Sequence, residues 1–257
     1  MGELIYAHCA LRARSRPAIT ARWPRMPNGD TPRALDLGQG LWVIVSSVPG
    51  KDYESGLTRR LTDVEWVAEC GVAHHDVIAR AAHGRGVAPF RLLTLFRSDD
   101  RVIEEVTRLR PRIEQALDRV SDRREWVVRV AAVSRATKAS RPRAARSGTS
   151  YLMERATQPA GVASVSPAAR RAARELVADL KAYADRSVQR PSEAGHVLYD
   201  GALLVSRARE HDLGDAVRQW APRLTPLGCR VSLTGPWPPY SFVSLDGRRS
   251  SADDEQA

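Results

Sequence analysis

The chain is short of cysteine, of lysine and of long apolar runs. Its three cysteines, Cys9, Cys70 and Cys229, are too widely spaced for a CxxC metal-binding pair, and their odd number gives no disulfide framework. Buried free thiols are therefore expected. Lysine supplies only three of the 40 basic residues, which we attribute to a genome that favours arginine codons. No apolar run approaches the ~20 residues that cross a bilayer, so we expect no membrane partner.

The first residues lack the pattern of a secretory signal. The apolar stretch 4–11 is only as long as a strand, and arginines follow it instead of preceding it. We therefore expect a cytoplasmic protein.

The length of 257 residues, with 43% hydrophobic content, suits two small domains with packed cores. The stretch 134–150 is rich in Arg, Ala and Ser and shows no apolar periodicity, so it is interpreted as a solvated basic loop. We predict an N-terminal domain over residues 1–122 and a C-terminal domain over 123–245 that carries this loop. The polar residues 246–257 are predicted to be a disordered tail.

Apolar periodicity in the first half alternates between strand and helix patterns. It predicts strands over 3–10, 41–48 and 87–96 and helices over 62–82 and 98–120. Pro111 interrupts the second helical pattern, so we expect a kink or two helices that meet there. The connection 12–37 is rich in Pro, Gly and Arg and is expected to be partly disordered.

The second half repeats this alternation. The patterns predict strands over 125–133, 197–205 and 229–233 and helices over 166–186 and 213–224, the first starting at Ser166 and Pro167. Strands alternating with helices in two short sets indicate an α+β protein. We predict two small ferredoxin-like domains with a proline-rich C-terminal segment.

The chain offers few residues that could carry chemistry. His74 and His75 are neighbours on a predicted helix and point about 100° apart, so they are poorly placed to share a metal ion. His74 falls on the buried face, where we expect it to bond a backbone carbonyl. Cys70 lies one turn before His74 but lacks an orienting acid. No phosphate-binding glycine motif occurs. We therefore expect no catalytic residue, no metal and no cofactor.

Residues 233–242, LTGPWPPYSF, have the least ordinary composition in the chain, with three prolines and three aromatic residues. Proline fixes φ and removes a backbone donor, so we predict that Gly235 and Pro236 end the last strand. A stiff extended segment then presents Trp237, Tyr240 and Phe242. These aromatic side chains either brace the two domains or form a partner-binding platform.

The same ten residues resemble the C-terminal signature of the gas vesicle protein F/L family, the accessory proteins of bacterial and archaeal gas vesicles. Other segments that are similar to the family follow in the same order, at residues 73–78, 87–96, 125–130 and 148–152. The resemblance spans residues 2–245. It departs from the family at Leu92 and Leu93, where Phe-Gly is usual.

The resemblance implies a non-enzymatic accessory protein located at the gas vesicle. Such a protein is a minor structural or assembly factor that binds the hydrophobic shell protein during vesicle nucleation and growth. Its expected partners are the major shell protein and other gas vesicle accessory proteins.

Positive charge is concentrated in one part of the chain. Residues 135–190 contain twelve Arg or Lys and four Asp or Glu. Arg170, Arg171 and Arg174 lie on the outer side of a predicted helix, where they could attract acidic groups on a partner. A basic nucleic-acid-binding protein is the alternative function. The stretch has no interleaved aromatic residues and no recognition motif, so nucleic acid is the less favoured partner.

Overall fold

The computed structural model describes residues 2–54, 60–133, 165–192 and 194–245. The predicted basic loop 134–150, the predicted tail 246–257 and the family-like segment 148–152 lie outside these residues. The chain forms two compact units. Among the described residues, the first unit comprises those up to Ser121 together with 243–245, and the second comprises those from 122 to 242. Residues 243–245, assigned to the C-terminal domain from sequence, thus pack with the first unit, whose core includes Leu245.

The first unit is an antiparallel sheet flanked by helices. Its strands are β1 (Glu3–Arg12), β2 (Arg33–Asp36), β3 (Leu41–Pro49), β4 (Val87–Pro89) and β5 (Leu95–Phe96). Its helices are α1 (Gly50–Tyr53), α2 (Val64–Ala81), α3 (Asp99–Arg108) and α4 (Arg110–Val120). The strand order is β2-β3-β1-β4, and β5 also pairs with β1. Strand β1 is buried on both faces, because α3 and α4 pack on one side of the sheet and α2 on the other.

The described residues of the second unit have the element order β-α-β-β-α-β. They form β6 (Arg123–Ala132), α5 (Pro167–Lys181), β7 (Arg186–Gln189), β8 (Val197–Ser206), α6 (Glu210–Leu224) and β9 (Cys229–Trp237). The antiparallel sheet has the order β7-β8-β6-β9, which together with the element order is ferredoxin-like. The first unit shares this sheet order, but the irregular connection after β1 stands in place of the first helix. The predicted α+β class is confirmed.

Local sequence signals explain where the helices begin. The side chains of Ser98 and Ser166 accept bonds from the first-turn amides of α3 and α5, at the two residues where these helices were predicted to start. Asp63 caps α2, whose start was predicted at residue 62. Pro111 lies in the first turn of α4, directly after the joint with α3 at Leu109, so the prediction of two helices meeting there is confirmed.

Two predicted element boundaries, and the expectation of partial disorder over 12–37, differ from the structure. Strand 87–96 is divided into β4 and β5 by a turn in which Leu93 has a φ of +63°. The helix predicted to reach residue 186 ends at Lys181, and β7 follows it. The connection 12–37 contains β2 and buries Trp23 and Met26, so apolar anchors hold it in place.

The predicted end of the last strand at Gly235 and Pro236 is also wrong. Strand β9 continues to Trp237 because its register shifts, with Thr234 opposite Val127 and Trp237 opposite Glu125. Val127 lies two positions from Glu125 along β6, whereas Thr234 lies three positions from Trp237 along β9, so β9 contains one extra residue there. Such a bulge lets a strand carry a proline, which has no amide hydrogen, without ending the pairing.

Candidate functional site

The C-terminal residues 235–242, which we name the aromatic segment, begin with a glycine that no other residue could easily replace. Gly235 has a φ of +143° and a cis peptide bond to Pro236. A β-carbon at Gly235 would lie 2.9 Å from the carbonyl oxygen of Glu125 and 3.1 Å from the indole ring of Trp126. Both the backbone conformation and the close approach to β6 therefore require glycine.

A buried carboxylate on β6 fixes the other end of the aromatic segment. The Glu125 side chain accepts a bond of 2.7 Å from the amide of Ser241 and one of 2.8 Å from the Ser241 hydroxyl. Arg190 donates to the same carboxylate at 3.3 Å. Burial raises the pKa of the Glu125 carboxyl, against the opposing effect of the bonds from Ser241 and of the charge on Arg190.

Alternation along β6 shows which face of the sheet the aromatic segment crosses. Val128 and Val130 pack into the core formed with α5 and α6. Glu125 lies on the face of the sheet opposite to α5 and α6, because residues an odd number of positions apart point to opposite sides of a strand. Since Glu125 holds Ser241, the segment passes over this opposite face.

The three aromatic side chains differ in exposure. Phe242 is fully buried, with an exposed fraction of 0%, whereas Tyr240 is 38% exposed. Trp237 is partly buried, and its indole nitrogen donates to the hydroxyl oxygen of Thr234 at 3.4 Å. Pro238 and Pro239 between them are buried. The segment is thus fixed at both ends and presents Tyr240 between them.

The basic residues predicted to attract a partner lie on the other side of this unit. Arg170, Arg171 and Arg174 are exposed on α5, whose opposite side packs into the core through Ala173 and Leu176. Among the described residues no carboxylate forms an ion pair with these three arginines. Because α5 covers the face opposite to the aromatic segment, the fold does not bring the two predicted sets of residues together.

A buried polar network occupies the first unit. The Leu93 amide donates to the hydroxyl of Tyr6 at 3.0 Å, and that hydroxyl lies 3.1 Å from Nδ1 of His74. His74 Nε2 lies 3.2 Å from the carbonyl oxygen of Phe90, so the predicted bond to a backbone carbonyl is confirmed. A carbonyl only accepts, so Nε2 carries the hydrogen and Nδ1 accepts from Tyr6. Burial lowers the pKa of His74 to about 4.

No sequence pattern indicates that His8 joins this network. His8 is skipped in the pairing of β1 with β3, and this bulge directs its ring toward His74, with the ring centres 5.7 Å apart. Its Nε2 lies 2.9 Å from the hydroxyl of Ser46. Both residues are completely buried, so no substrate can reach this Ser-His pair. The pair and the Tyr6–His74 bond tie β1 to β3 and α2.

No three His, Cys, Asp or Glu side chains among the described residues are grouped so as to bind a metal ion. In the same part of the chain, no helix combines the length and the apolar character needed to traverse a bilayer.

The fold and these surfaces define a class: an α+β protein with two antiparallel sheets of ferredoxin-like strand order and a fixed aromatic segment on one of them. Comparison with known proteins gives the family. The profile of the family described as "Gas vesicle synthesis protein GvpL/GvpF" matches residues 4–244. The chain belongs to this family, and its role is that of a gas vesicle accessory protein.

Relatives agree with this assignment. Gas vesicle protein L of Streptomyces sp. (strain CB03234) is 32% identical over 230 residues, which cover 84% of this chain and 85% of that protein. The crystal structure of gas vesicle protein GvpF from Anabaena sp. PCC7120 superposes with a TM-score of 0.66 at 14% identity, covering 95% and 97% of the two chains. For GvpF from Microcystis aeruginosa the TM-score is 0.63 at 12% identity, with 94% and 99% covered. At these identities the crystal structures establish the fold alone.

Proposed function

We propose that this protein is a minor structural or assembly factor that binds the hydrophobic gas vesicle shell protein during nucleation and growth of the vesicle. The match to the GvpL/GvpF family over residues 4–244 carries the proposal. Other gas vesicle accessory proteins are proposed as further partners.

The physical need for such a factor follows from the chemistry of the shell protein. A subunit that is destined for a gas-facing wall must hide its apolar face until it joins the wall. A protein that binds this face lowers the concentration of free, aggregating monomer by mass action. No turnover is required for this effect.

The aromatic segment supports the proposal as a prepared contact surface. Its ends are held by Gly235 against β6 and by Ser241 on Glu125. We assign a structural role to the fully buried Phe242 and the partner contact to Tyr240 and Trp237. A fixed aromatic side chain binds an apolar partner with little loss of conformational entropy. Arg170, Arg171 and Arg174 are assigned to steering, because they are exposed and unpaired by carboxylates in the described residues.

Co-expression with the shell protein tests the proposal. The soluble fraction after sedimentation is expected to contain shell protein, and affinity purification at low salt is expected to recover the complex. Tyr240→Ser should reduce recovery while Tyr240→Phe, which keeps the ring, should not. The assembly-factor proposal fails if the shell protein stays as insoluble as when expressed alone and no complex is recovered.

The second candidate, nucleic-acid binding, rests on the exposed arginines of α5. Phosphate contacts would make retention on immobilised DNA fall steeply as salt rises. Salt-dependent retention on DNA, combined with no binding to shell protein, would favour this alternative.

A further inference from the structure

Among the described strands the two sheets have four edges, and three of these edges are poorly suited to pair with another chain. Strands β2 and β7 have only four residues each. The edge formed by β4 and β5 consists of three residues and two residues separated by the Leu93 turn. Short or interrupted edges are a usual protection against unwanted strand pairing. Strand β9, with nine residues and β6 as its neighbour on one side only, is the exception among the described strands.

The hydrogen bonds made by β6 show which backbone groups of β9 point away from β6. The amide of Ala132 bonds to His196, before β8, whereas the amide of Val133 bonds to Gly228, before β9. Odd-numbered residues of β6 therefore face β9, and their partners are Arg230, Ser232 and Thr234. The intervening residues Val231 and Leu233 direct their amides and carbonyls to the open edge.

In the described residues, the backbone features that interrupt the β9 edge lie at its C-terminal end. The register shift opposite Glu125 and the missing amide of Pro236 disturb the edge after Thr234. Residues 229–234 pair in unbroken register with β6. The regular part of the edge is therefore long enough for a strand of about five or six residues.

The side chains along β9 indicate the chemistry of a strand that would fit there. Val231 and Leu233 pack against the core under α6 but stay partly exposed, so the apolar cover ends at this edge. Arg230 and Ser232 are exposed on the other face, and no ion pair in the described part of the chain involves Arg230. A matching strand has apolar residues beside Val231 and Leu233 and an acidic residue near Arg230.

We infer that β9 takes up an extended segment of the shell protein as an additional strand, with apolar residues alternating with polar or acidic ones. This inference rests on the proposed function and specifies how binding occurs. Backbone bonds at Val231 and Leu233 supply affinity, while the alternating side chains set the register. The aromatic segment overlaps β9 at residues 235–237 and continues beyond it to Tyr240 and Phe242.

Substitutions at Val231 test the edge. Val231→Pro removes an amide that faces away from β6 and adds a ring where the incoming strand would lie, whereas Val231→Ala shortens the side chain and keeps the amide. After co-expression, Val231→Pro is expected to lower the recovery of shell protein about tenfold, as loss of a backbone bond plus steric exclusion implies. Val231→Ala should retain most of it. Arg230→Glu should weaken recovery more than Arg230→Lys.

Hydrogen exchange on the wild-type protein provides a second measurement that does not depend on a variant folding. The amides of Val231 and Leu233 should exchange rapidly in the free protein and become protected in the complex, whereas those of Ser232 and Thr234 should be protected in both states.

The outcomes separate the two proposals. If the wild-type protein recovers shell protein but β9 gains no protection, or if Val231→Pro and Val231→Ala behave alike, the edge inference is overturned and the proposed function stands. If the wild-type protein recovers no shell protein, both fall. If the wild-type protein is a dimer and Val231→Pro makes it monomeric, the edge pairs with a second copy of this chain. That result would overturn the assignment to the shell protein.

Discussion

At the scale of single residues, Leu93 shows how a residue with a side chain is accommodated at a left-handed backbone position. Its φ is +63°. That conformation costs a residue with a side chain roughly 1–2 kcal/mol. The turn keeps it because the Leu93 amide bonds to Tyr6 and the side chain packs beside the core near α2.

At most positions a variant with alanine is more stable than one with glycine, and at Leu93 this order should be reversed. Both Leu93→Ala and Leu93→Gly lose the packed side chain, but only glycine removes the left-handed strain. We expect Leu93→Gly to be more stable than Leu93→Ala by roughly 1 kcal/mol. At the neighbouring Leu92, which has no such φ, Ala should be the more stable. Urea unfolding of the four variants measures both differences, and the same ranking at both positions would contradict the strain argument.

The aromatic residues 237–242 should also differ in their effect on stability. Phe242→Ala should lower the free energy of unfolding of the second unit by about 3–5 kcal/mol, because it empties a fully buried site. Tyr240→Ala should change it by less than about 1 kcal/mol, because Tyr240 is one of the exposed large hydrophobic residues. Thermal melting of the two variants compares them. Equal losses would show that Tyr240 braces the fold as Phe242 does.

At the scale of elements, local signals were enough to place most helices. Ser98 and Ser166 mark helix starts, and Pro111 marks a joint, because capping and proline chemistry act within one turn. The strands were harder to bound. Pro236 predicts an end to β9 locally, but the register shift against β6 is a contact between segments far apart in sequence, and no local pattern encodes it.

The candidate site likewise has parts that local sequence predicts and parts that it does not. Composition identified the aromatic segment, since proline and aromatic residues are concentrated there. Its anchor, Glu125, lies 116 positions before Ser241 and looks in the sequence like one polar residue in an apolar strand. His8 was missed for a similar reason, because its place in the buried network depends on a bulge in β1. Contacts between residues so far apart in sequence depend on the fold of the whole unit, and no local sequence pattern predicts them.

The buried network of the first unit should make stability depend on pH. Neutral His74 satisfies both its acceptor, Phe90, and its donor, Tyr6, and burial lowers its folded-state pKa from 6.5 to about 4. The unfolded chain therefore binds a proton first as pH falls. The contribution of His74 to stability is present above about pH 6.5 and is lost between about pH 6.5 and 4, by up to about 3 kcal/mol.

Urea unfolding of the wild-type protein and His74→Gln across this pH range measures that contribution. The wild-type free energy of unfolding should fall more steeply toward pH 4 than that of the variant. Burial lowers the pKa of His8 as well, so the variant should keep part of the slope. Parallel curves for the two proteins would show that His74 does not titrate as its surroundings require.

At the scale of the whole molecule, the positive charge is unequally divided between the two units. The described residues of the first unit contain seventeen Arg or Lys and fifteen Asp or Glu, and those of the second contain fourteen and nine. In the first unit many arginines are neutralised locally, as where Arg101 and Arg108 both pair with Glu104 and Glu105. The excess on the second unit includes the exposed arginines of α5.

This excess should speed the encounter with an acidic partner without adding much to the stability of the complex. Changing Arg170, Arg171 and Arg174 together to Gln should slow association with the shell protein severalfold at low salt, and the difference should vanish as the Debye length falls from about 10 Å at 0.1 M to about 3 Å at 1 M. The matched control changes Arg97, Arg101 and Arg108 to Gln, which removes the same net charge from the first unit. Stopped-flow or surface-binding rates at several salt concentrations compare the two triple variants. If both slow association equally, net charge and not the α5 surface governs the encounter, because a local patch can act only on a partner that approaches within a Debye length of it.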